Sequence, residues 1–421
     1  MRFIVRLTEF KFNIKDSKQV SVLLIMLASL FVYAYQIGQK VSIISDFAVF
    51  WHAGNNFSNN VSLYSGIGGA CRYIYPPFAA MCFQVLALCE MHLSATIYTL
   101  FNLGFFALII YYSYQILRFF STNTVYLYTS ILVGTLLSLR FFLYHFMFVQ
   151  MNELVLLLSL SGIYHYLKNK IYYSVPLLVF AVFIKIIPIF ILIWILSKRF
   201  SWQTYFLALF CFLLGILLPI SQRGMEQGMV DLQEYYITFL EPFQNGGVEP
   251  KLQNYGLSAS LYKVFSSTPD GLRYDYIITL LPFETIGLMN KFLILSLLTL
   301  FAALLALSRF VYKAISIFEI SFILLFTHLV SGITWEYHLV SLLFIYATLA
   351  FTYLNNKSAK LFWSLLLVIA VFNAILGADT VGFYLYYKAC GFSILTWFML
   401  LLTFLTFLLF LKDKNRVKLI T

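Results

Sequence analysis

The chain has 421 residues, of which 62% are hydrophobic and 11% are charged, against about 45–50% and about 25% in an ordinary soluble domain. These proportions exclude a soluble globular protein and predict one integral membrane domain over residues 1–421. The net charge of +11 does not indicate a nucleic-acid partner, because the basic residues lie between apolar runs and so act on membrane topology.

Long intervals without charge predict an all-α polytopic membrane protein. Each span needs about 20 apolar residues, so we expect about twelve transmembrane helices. The clearest intervals are 19–39, 73–89, 91–117, 119–139, 200–222, 292–308, 337–356, 361–377 and 389–411. Weaker ones are 150–167, 171–197 and 314–331. The first interval has a basic flank but no small-residue cleavage pattern after it, so we expect an uncleaved helix.

The distribution of Lys and Arg predicts the orientation, because an excess of these residues near span ends marks the cytoplasmic side. The tail before the first span carries five of them: Arg2, Arg6, Lys11, Lys15 and Lys18. We therefore expect both termini in the cytoplasm, together with most of the later basic groups. With twelve spans, Lys168 and Lys170 fall on the outer side of the membrane and are exceptions to this rule.

Two long loops are expected on the outer face, at residues 40–75 and 223–291. The first begins with an apolar, aromatic stretch that predicts an interfacial helix carrying Asp46. The second contains many of the acidic residues and is divided by Gly246-Gly247, Pro250, Pro269-Asp270-Gly271 and Pro282. It predicts a small layer outside the membrane.

Ionisable residues at membrane depth are costly, so each is a candidate functional residue. Lys185 lies in an apolar stretch three residues before Pro188, where it either serves a site or reaches to the interface. Asn152 and Glu153 open a span, where a carboxylate also suits a helix N-terminus. Glu319 has no evident partner within a helical turn and is left without a role.

The cysteines do not form a pattern. Cys71, Cys82, Cys89, Cys211 and Cys390 include no CxxC pair and no histidine at metal-ligand spacing. We therefore expect neither a zinc site nor a disulfide framework.

Several short elements occur in a characteristic order over about residues 40 to 345. They are Asp46; Tyr73, Tyr75, Pro76 and Pro77; Gln150 and Asn152; Lys185 and Pro188; Asn254, Leu257 and Ser258; and Ser331, Ile333, Thr334, Trp335 and His338. In this order the chain resembles the membrane-embedded glycosyltransferases of family 87, which have the GT-C fold. It differs from them at Val149, where the family usually has Gly, and at Tyr337, where the family often has a first histidine.

The resemblance implies transfer of a sugar, with inversion, from a polyprenyl-phosphate donor to a glycolipid or cell-envelope glycan on the outer face of a bacterial inner membrane. Members of this kind include mannosyltransferase-like enzymes. By the same analogy Asp46 is the general base and His338 a second catalytic residue, and no cofactor is implied. The implied substrate-binding residues are Arg72, Tyr75, Gln150, Asn152, Lys185, Asn254 and Trp335.

Transfer of a sugar from polyprenyl phosphate needs only one carboxylate, which acts as the base. A positioned base accelerates attack by an alcohol about 10²–10⁴-fold. A glycosidase needs a second carboxyl group as acid, whereas polyprenyl phosphate leaves without one. Lys185, Arg72 or His338 could supply positive charge or donors to the phosphate.

Two other functions remain open on the sequence. A transporter or flippase of lipid-linked sugars also needs many helices and a few buried charges, and it would place them near the membrane midplane beside broken helices. A non-catalytic partner in polymer export is a third reading.

Overall fold

The protein is helical throughout the part of the chain that its computed structural model describes, which is residues 17–42, 45–65, 72–198, 201–244, 251–266, 279–355 and 360–418. Within these ranges the only β pairing is an isolated bridge between Ile315 and Val417. This confirms the all-α class.

The helices follow one another along the chain in a simple succession. They are α1 (Ser17–Gln39), α2 (Asp46–Ser58), α3 (Pro77–Phe83), α4 (Met91–Leu117), α5 (Thr124–Phe148), α6 (Asn152–Leu167), α7 (Ile171–Ile184), α8 (Ile189–Lys198), α9 (Trp202–Arg223), α10 (Met225–Tyr235), α11 (Glu241–Gln244), α12 (Leu257–Phe265), α13 (Phe283–Ala306), α14 (Ile317–Val330), α15 (Leu342–Asn355), α16 (Lys360–Ile375), α17 (Ala378–Val381), α18 (Phe383–Gly391) and α19 (Ile394–Lys412).

Among the described residues, seven helices are long and apolar enough to cross a membrane. They are α1, α4, α5, α9, α13 with its π-helical continuation Leu307–Tyr312, α15 with the preceding 3-10 turn Glu336–Ser341, and α19. Many large apolar side chains on these helices are exposed, as suits contact with lipid. The protein is therefore a polytopic membrane protein, in which shorter apolar helices such as α7, α8 and α14 accompany the long ones.

The predicted span at residues 73–89 is wrong. Its helix, α3, begins after Pro76 and has 7 residues, followed by a 3-10 turn at Leu86–Leu88. Seven residues rise only about 10 Å, a third of the bilayer core. This segment packs on α2 instead, where Gly54 allows the close approach: a Cβ atom there would lie 2.2 Å from the Phe83 carbonyl oxygen.

The predicted span at residues 171–197 is divided in two. Helix α7 ends at Ile184, Lys185 is extended, and α8 begins at Ile189 directly after Pro188, which has no backbone N–H to donate. The Trp194 ring of α8 lies 5.7 Å from Tyr166 near the end of α6. Helices α7 and α8 therefore form a hairpin with Lys185 at its tip.

The shortness of α3 changes the expected positions of Lys168 and Lys170. With the short helix α3 packed on α2, the helices α4, α5 and α6 run through the bundle in the opposite sense to the one predicted. The Lys168 Nζ atom lies 5.8 Å from the Phe119 ring, just after α4, and this end of α6 is also the end reached by Trp194 and Lys198. The two lysines thus share an end of the bundle with other basic residues, so they are no exception.

A buried ion pair lies at the end of the bundle that carries Lys168 and Lys198. The Glu319 carboxylate lies 3.1 Å from Lys198 Nζ and accepts hydrogen bonds from Trp194 Nε1 and Ser308 Oγ. Glu319, which had no role in the sequence, therefore joins α8, α13 and α14.

The described parts of the segment 223–291 lie at the opposite end of the bundle. It holds α10, α11 and α12, and α13 begins within it at Phe283. Arg223 and Asp231 pair at 2.8 Å, and Arg223 also donates to the carbonyls of Asn56 and Phe57, which ties this segment to α2. The turns predicted at residues 246–247, 250 and 269–271 lie outside the described residues.

Candidate active site

Six polar side chains from four separate segments form a closed ring of contacts at the end of the bundle that carries α2. They are Asp46, Gln150, Asn152, Lys185, Tyr337 and His338. We call this set the polar ring. It brings together the start of α2, the α5–α6 turn, the tip of the α7–α8 hairpin and the segment before α15.

Asp46 is the first residue of α2. The Ser45 side chain caps this helix by accepting from the Ala48 N–H, and a carboxylate in the first turn suits the helix dipole. Gln150 Nε2 donates to Asp46 Oδ2 at 2.6 Å, and the Tyr337 side chain makes a second hydrogen bond. Burial raises the pKa of Asp46 above its usual range, although these hydrogen bonds and nearby lysine charges oppose the effect. The carboxylate is oriented and is a stronger base than an exposed one.

The turn between α5 and α6 presents Gln150 and Asn152. It is made by Val149, whose φ of 48° lies in the left-handed region that favours glycine. This explains in physical terms the glycine usual in the family at this position. Asn102 Nδ2 supports the turn by donating to the Gln150 carbonyl at 3.2 Å.

Lys185 connects the α5–α6 turn to the segment before α15. Its Nζ donates to Asn152 Oδ1 at 2.8 Å and lies 2.9 Å from His338 Nε2. His338 Nδ1 accepts from the Trp335 N–H at 3.2 Å, which fixes the orientation of the ring. Lysine and histidine thus place an amine and an imidazole nitrogen side by side, and both of these groups are able to donate to an anion.

Asn254 holds the segment that carries His338. Its Oδ1 accepts from the N–H groups of Gly256 and Thr334, and its Nδ2 donates to the Gly332 carbonyl, all within 3.0 Å. The side chain is fully buried. The Asn254 amide, which was predicted to bind substrate, thus supports the backbone of the segment before His338.

The other predicted residues lie at different distances from the ring. Tyr75 interacts electrostatically with Asp46, and its own carbonyl accepts from the Tyr64 hydroxyl at 2.7 Å. The Trp335 ring faces Lys251 Nζ at 5.8 Å. Arg72 is exposed.

Sequence reasoning missed Tyr337 and Lys251. Tyr337 bonds to Asp46, and Lys251 lies close enough to Asp46 to lower the pKa of its carboxyl group. The one signal for Tyr337 was its place beside His338, whereas Lys251 lies in a long loop without any pattern.

The chemical groups of the polar ring are suited to proton transfer and to binding an anion. In the described ranges, no set of three or more His, Cys, Asp or Glu side chains is arranged to hold a metal ion. The functional groups of the ring are one carboxylate, one amine, one imidazole, one phenol and two amides. They can accept a proton and stabilise negative charge.

Comparison with known proteins identifies the family. The model of glycosyltransferase family 87 matches residues 73–331, more than half of the chain. The matched range includes Tyr75, Gln150, Asn152 and Lys185, whereas Asp46 and His338 lie outside it and join the same ring in space. No curated protein matches the chain. The chain belongs to glycosyltransferase family 87, a family of glycosyltransferases of the GT-C type.

Proposed function

We propose that this glycosyltransferase transfers a sugar from a polyprenyl-phosphate donor to a hydroxyl group of a glycolipid or cell-envelope glycan, with inversion, at the polar ring. The observation that carries the proposal is the convergence of Asp46 with Lys185 and His338 in one ring. A base and an anion-binding pair on neighbouring positions are what this displacement requires.

In the proposed reaction the acceptor oxygen forms a bond to the anomeric carbon of the sugar. The bond between that carbon and the phosphate oxygen breaks, and polyprenyl phosphate leaves with the electron pair. Asp46 takes the acceptor proton, while Gln150 and Tyr337 keep its carboxylate oriented. Attack from the face opposite the leaving phosphate inverts the anomeric centre.

Lys185 and His338 are proposed to contact the phosphate. The Lys185 ammonium and the His338 Nε2–H can both donate to phosphate oxygens, which gain charge as the bond breaks. Asn152 holds Lys185 in place through its Oδ1. We propose Tyr75 and Trp335 as ring surfaces for the sugars, and Lys251 as a further cation at the rim.

The polar ring is proposed to face the outside of a bacterial inner membrane. Basic residues at the opposite end of the bundle support this orientation, because they favour the cytoplasmic side. They include Arg118, Lys168, Lys170, Lys198 and Lys313. In a cysteine-free background, Met225→Cys in α10 should react with an impermeant maleimide from outside and Lys414→Cys only after permeabilisation; the reverse pattern would contradict the orientation.

The experiment that tests the reaction compares two equivalent substitutions. Asp46→Asn removes the base, and Asp231→Asn makes the same change at a buried carboxylate that belongs to the Arg223 pair. With polyprenyl-phosphate mannose or glucose as donor and membrane lipid as acceptor, we expect Asp46→Asn to lose about 10²–10⁴-fold in kcat. Asp231→Asn should keep its rate per folded molecule. Full activity of Asp46→Asn would exclude Asp46 as the base.

The transporter alternative predicts a different result. A flippase moves the intact lipid-linked sugar without forming a new glycosidic bond. Transport of labelled donor across vesicles by both wild type and Asp46→Asn, without any glycosylated product, would favour it.

A further inference from the structure

Glu336 lies directly before the two ring residues Tyr337 and His338, and its side chain is bound elsewhere. The side chain is 4% exposed, and its Oε1 lies 3.5 Å from Arg140 Nη2. Tyr255 donates its hydroxyl proton to the same oxygen at 2.9 Å, and Tyr386 also hydrogen-bonds to the carboxyl group. Glu336 is therefore held on several sides although it is not part of the polar ring.

Arg140 connects Glu336 to the rest of the bundle. It is a residue of α5, and its Nη1 donates to the Leu376 carbonyl at the end of α16. Tyr255 is tied in turn to the 331–335 segment, since its N–H donates to the Thr334 carbonyl at 2.6 Å. The carboxylate thus contacts α5 through Arg140, α18 through Tyr386 and the loop before α12 through Tyr255.

The backbone at Glu336 couples its contact with Arg140 to the orientation of Tyr337 and His338 in the polar ring. Residues 336–341 form a 3-10 turn, in which successive side chains point about 120° apart because there are about three residues per turn. Glu336 points to Arg140, Tyr337 to Asp46 and His338 to Lys185. A rotation of this turn that releases Glu336 also turns Tyr337 and His338 away from their partners.

We propose that Glu336, held by Arg140, is a positioning residue that sets the orientation of Tyr337 and His338 toward Asp46 and Lys185. It does not touch the substrates. The proposal rests on the proposed function for its kinetic effect, because the orientation of Asp46 and His338 then determines transfer.

A matched pair of substitutions tests the proposal. Glu336→Gln keeps the shape of the side chain and removes its charge. Glu319→Gln makes the same change at an equally buried carboxylate that pairs with Lys198 at the opposite end of the bundle. Arg140→Gln removes the other partner of Glu336 from a different helix, and a measurement of Tm shows whether each variant is folded.

We expect Glu336→Gln and Arg140→Gln to lower kcat/KM about 100-fold, because a misplacement of about 1 Å in an active site costs about that factor. The donor KM should rise, since His338 no longer faces the phosphate. A purely structural role reduces only the amount of folded enzyme and leaves KM unchanged. Glu319→Gln should retain KM and kcat per folded molecule, and equal losses in Glu336→Gln and Glu319→Gln would overturn the proposal.

A second measurement does not depend on activity. Solid-state NMR of enzyme with isotope-labelled histidine, with the His338 signals assigned from His338→Gln, reports the environment of both ring nitrogens. We expect these signals to move in Glu336→Gln and to stay in Glu319→Gln; unchanged signals in Glu336→Gln would refute the positioning role. Absence of transfer by the wild type with any polyprenyl-phosphate sugar would instead refute the proposed function, and the spectra would still decide the role of Glu336.

Discussion

Replacement of Lys185 by methionine tests whether the tip of the α7–α8 hairpin binds phosphate. Methionine keeps much of the length of the side chain and removes its charge and its donors. A hydrogen bond between charged groups contributes about 1.5–3 kcal/mol, and about 1.4 kcal/mol corresponds to a factor of ten. Since Lys185 Nζ can direct one such bond to a phosphate, we expect Lys185→Met to weaken phosphate binding by about 10- to 150-fold.

The assay uses undecaprenyl phosphate, because this probe carries the phosphate and lipid of the donor and needs no knowledge of the sugar. Its Kd is measured by equilibrium binding of the radiolabelled lipid to purified enzyme in nanodiscs. Lys168→Met serves as the control, since it removes the same charge from an exposed lysine at the opposite end of the bundle. An unchanged Kd for Lys185→Met, or an equal loss in Lys168→Met, would refute the assignment of Lys185 to the phosphate.

Three further outcomes follow from the geometry. In the pH profile of kcat/KM, the acid limb should have its midpoint above about 4, the usual pKa of aspartate. Burial raises the pKa of Asp46, and a protonated carboxyl group cannot act as base. A midpoint at or below about 4 would contradict this prediction. Val149→Gly should be more stable than Val149→Ala by about 1 kcal/mol, because both variants lose the two γ-methyl groups but only glycine adopts the left-handed φ of 48° without strain. Thermal unfolding in detergent measures the difference, and a more stable alanine variant would contradict the prediction. Gly54→Ala should lower both the Tm and the rate of sugar transfer, because its Cβ would meet the Phe83 carbonyl. Gly104→Ala has open space around its Cβ and should behave as the wild type. Equal Tm values for the two variants would contradict the close packing of α2 on α3.

Much of the membrane architecture could be predicted because charge is excluded from lipid. The intervals 91–117 and 19–39 agree with α4 and α1 within two residues at each end. The interval 73–89 failed because absence of charge does not show where a helix begins. In this segment the helix begins only after Pro76, and the segment packs on α2 instead of crossing. This single error reversed the predicted direction of α4 to α6 and made Lys168 an apparent exception.

Five of the six residues of the polar ring were candidates from the sequence, whereas Tyr337 and the arrangement of the ring were not predicted. Lys185 was a candidate because an ionisable side chain at membrane depth is costly, and His338 was a candidate through the family resemblance; they lie 2.9 Å apart in the structure. Their contact joins positions 153 residues apart in the chain, which no local pattern encodes. For the same reason Glu319 had no visible partner, since Lys198 and Trp194 precede it by more than a hundred residues.

Asn254 illustrates the limit of residue type as evidence. An amide in a loop of a glycosyltransferase suggests a contact with sugar hydroxyls. Its oxygen and nitrogen are both bound to the backbone of residues 332–334, and residue type alone does not reveal this support of a loop. Tertiary contacts alone distinguish the two roles.

The central claim is that the polar ring holds the donor phosphate beside Asp46. The most direct test is an experimental structure of the enzyme with undecaprenyl phosphate bound in a nanodisc. We expect phosphate oxygens within hydrogen-bond distance of Lys185 Nζ and His338 Nε2, with the space in front of Asp46 open to an acceptor. A phosphate bound at the basic end near Lys198, or at any site out of reach of the ring, would contradict the account.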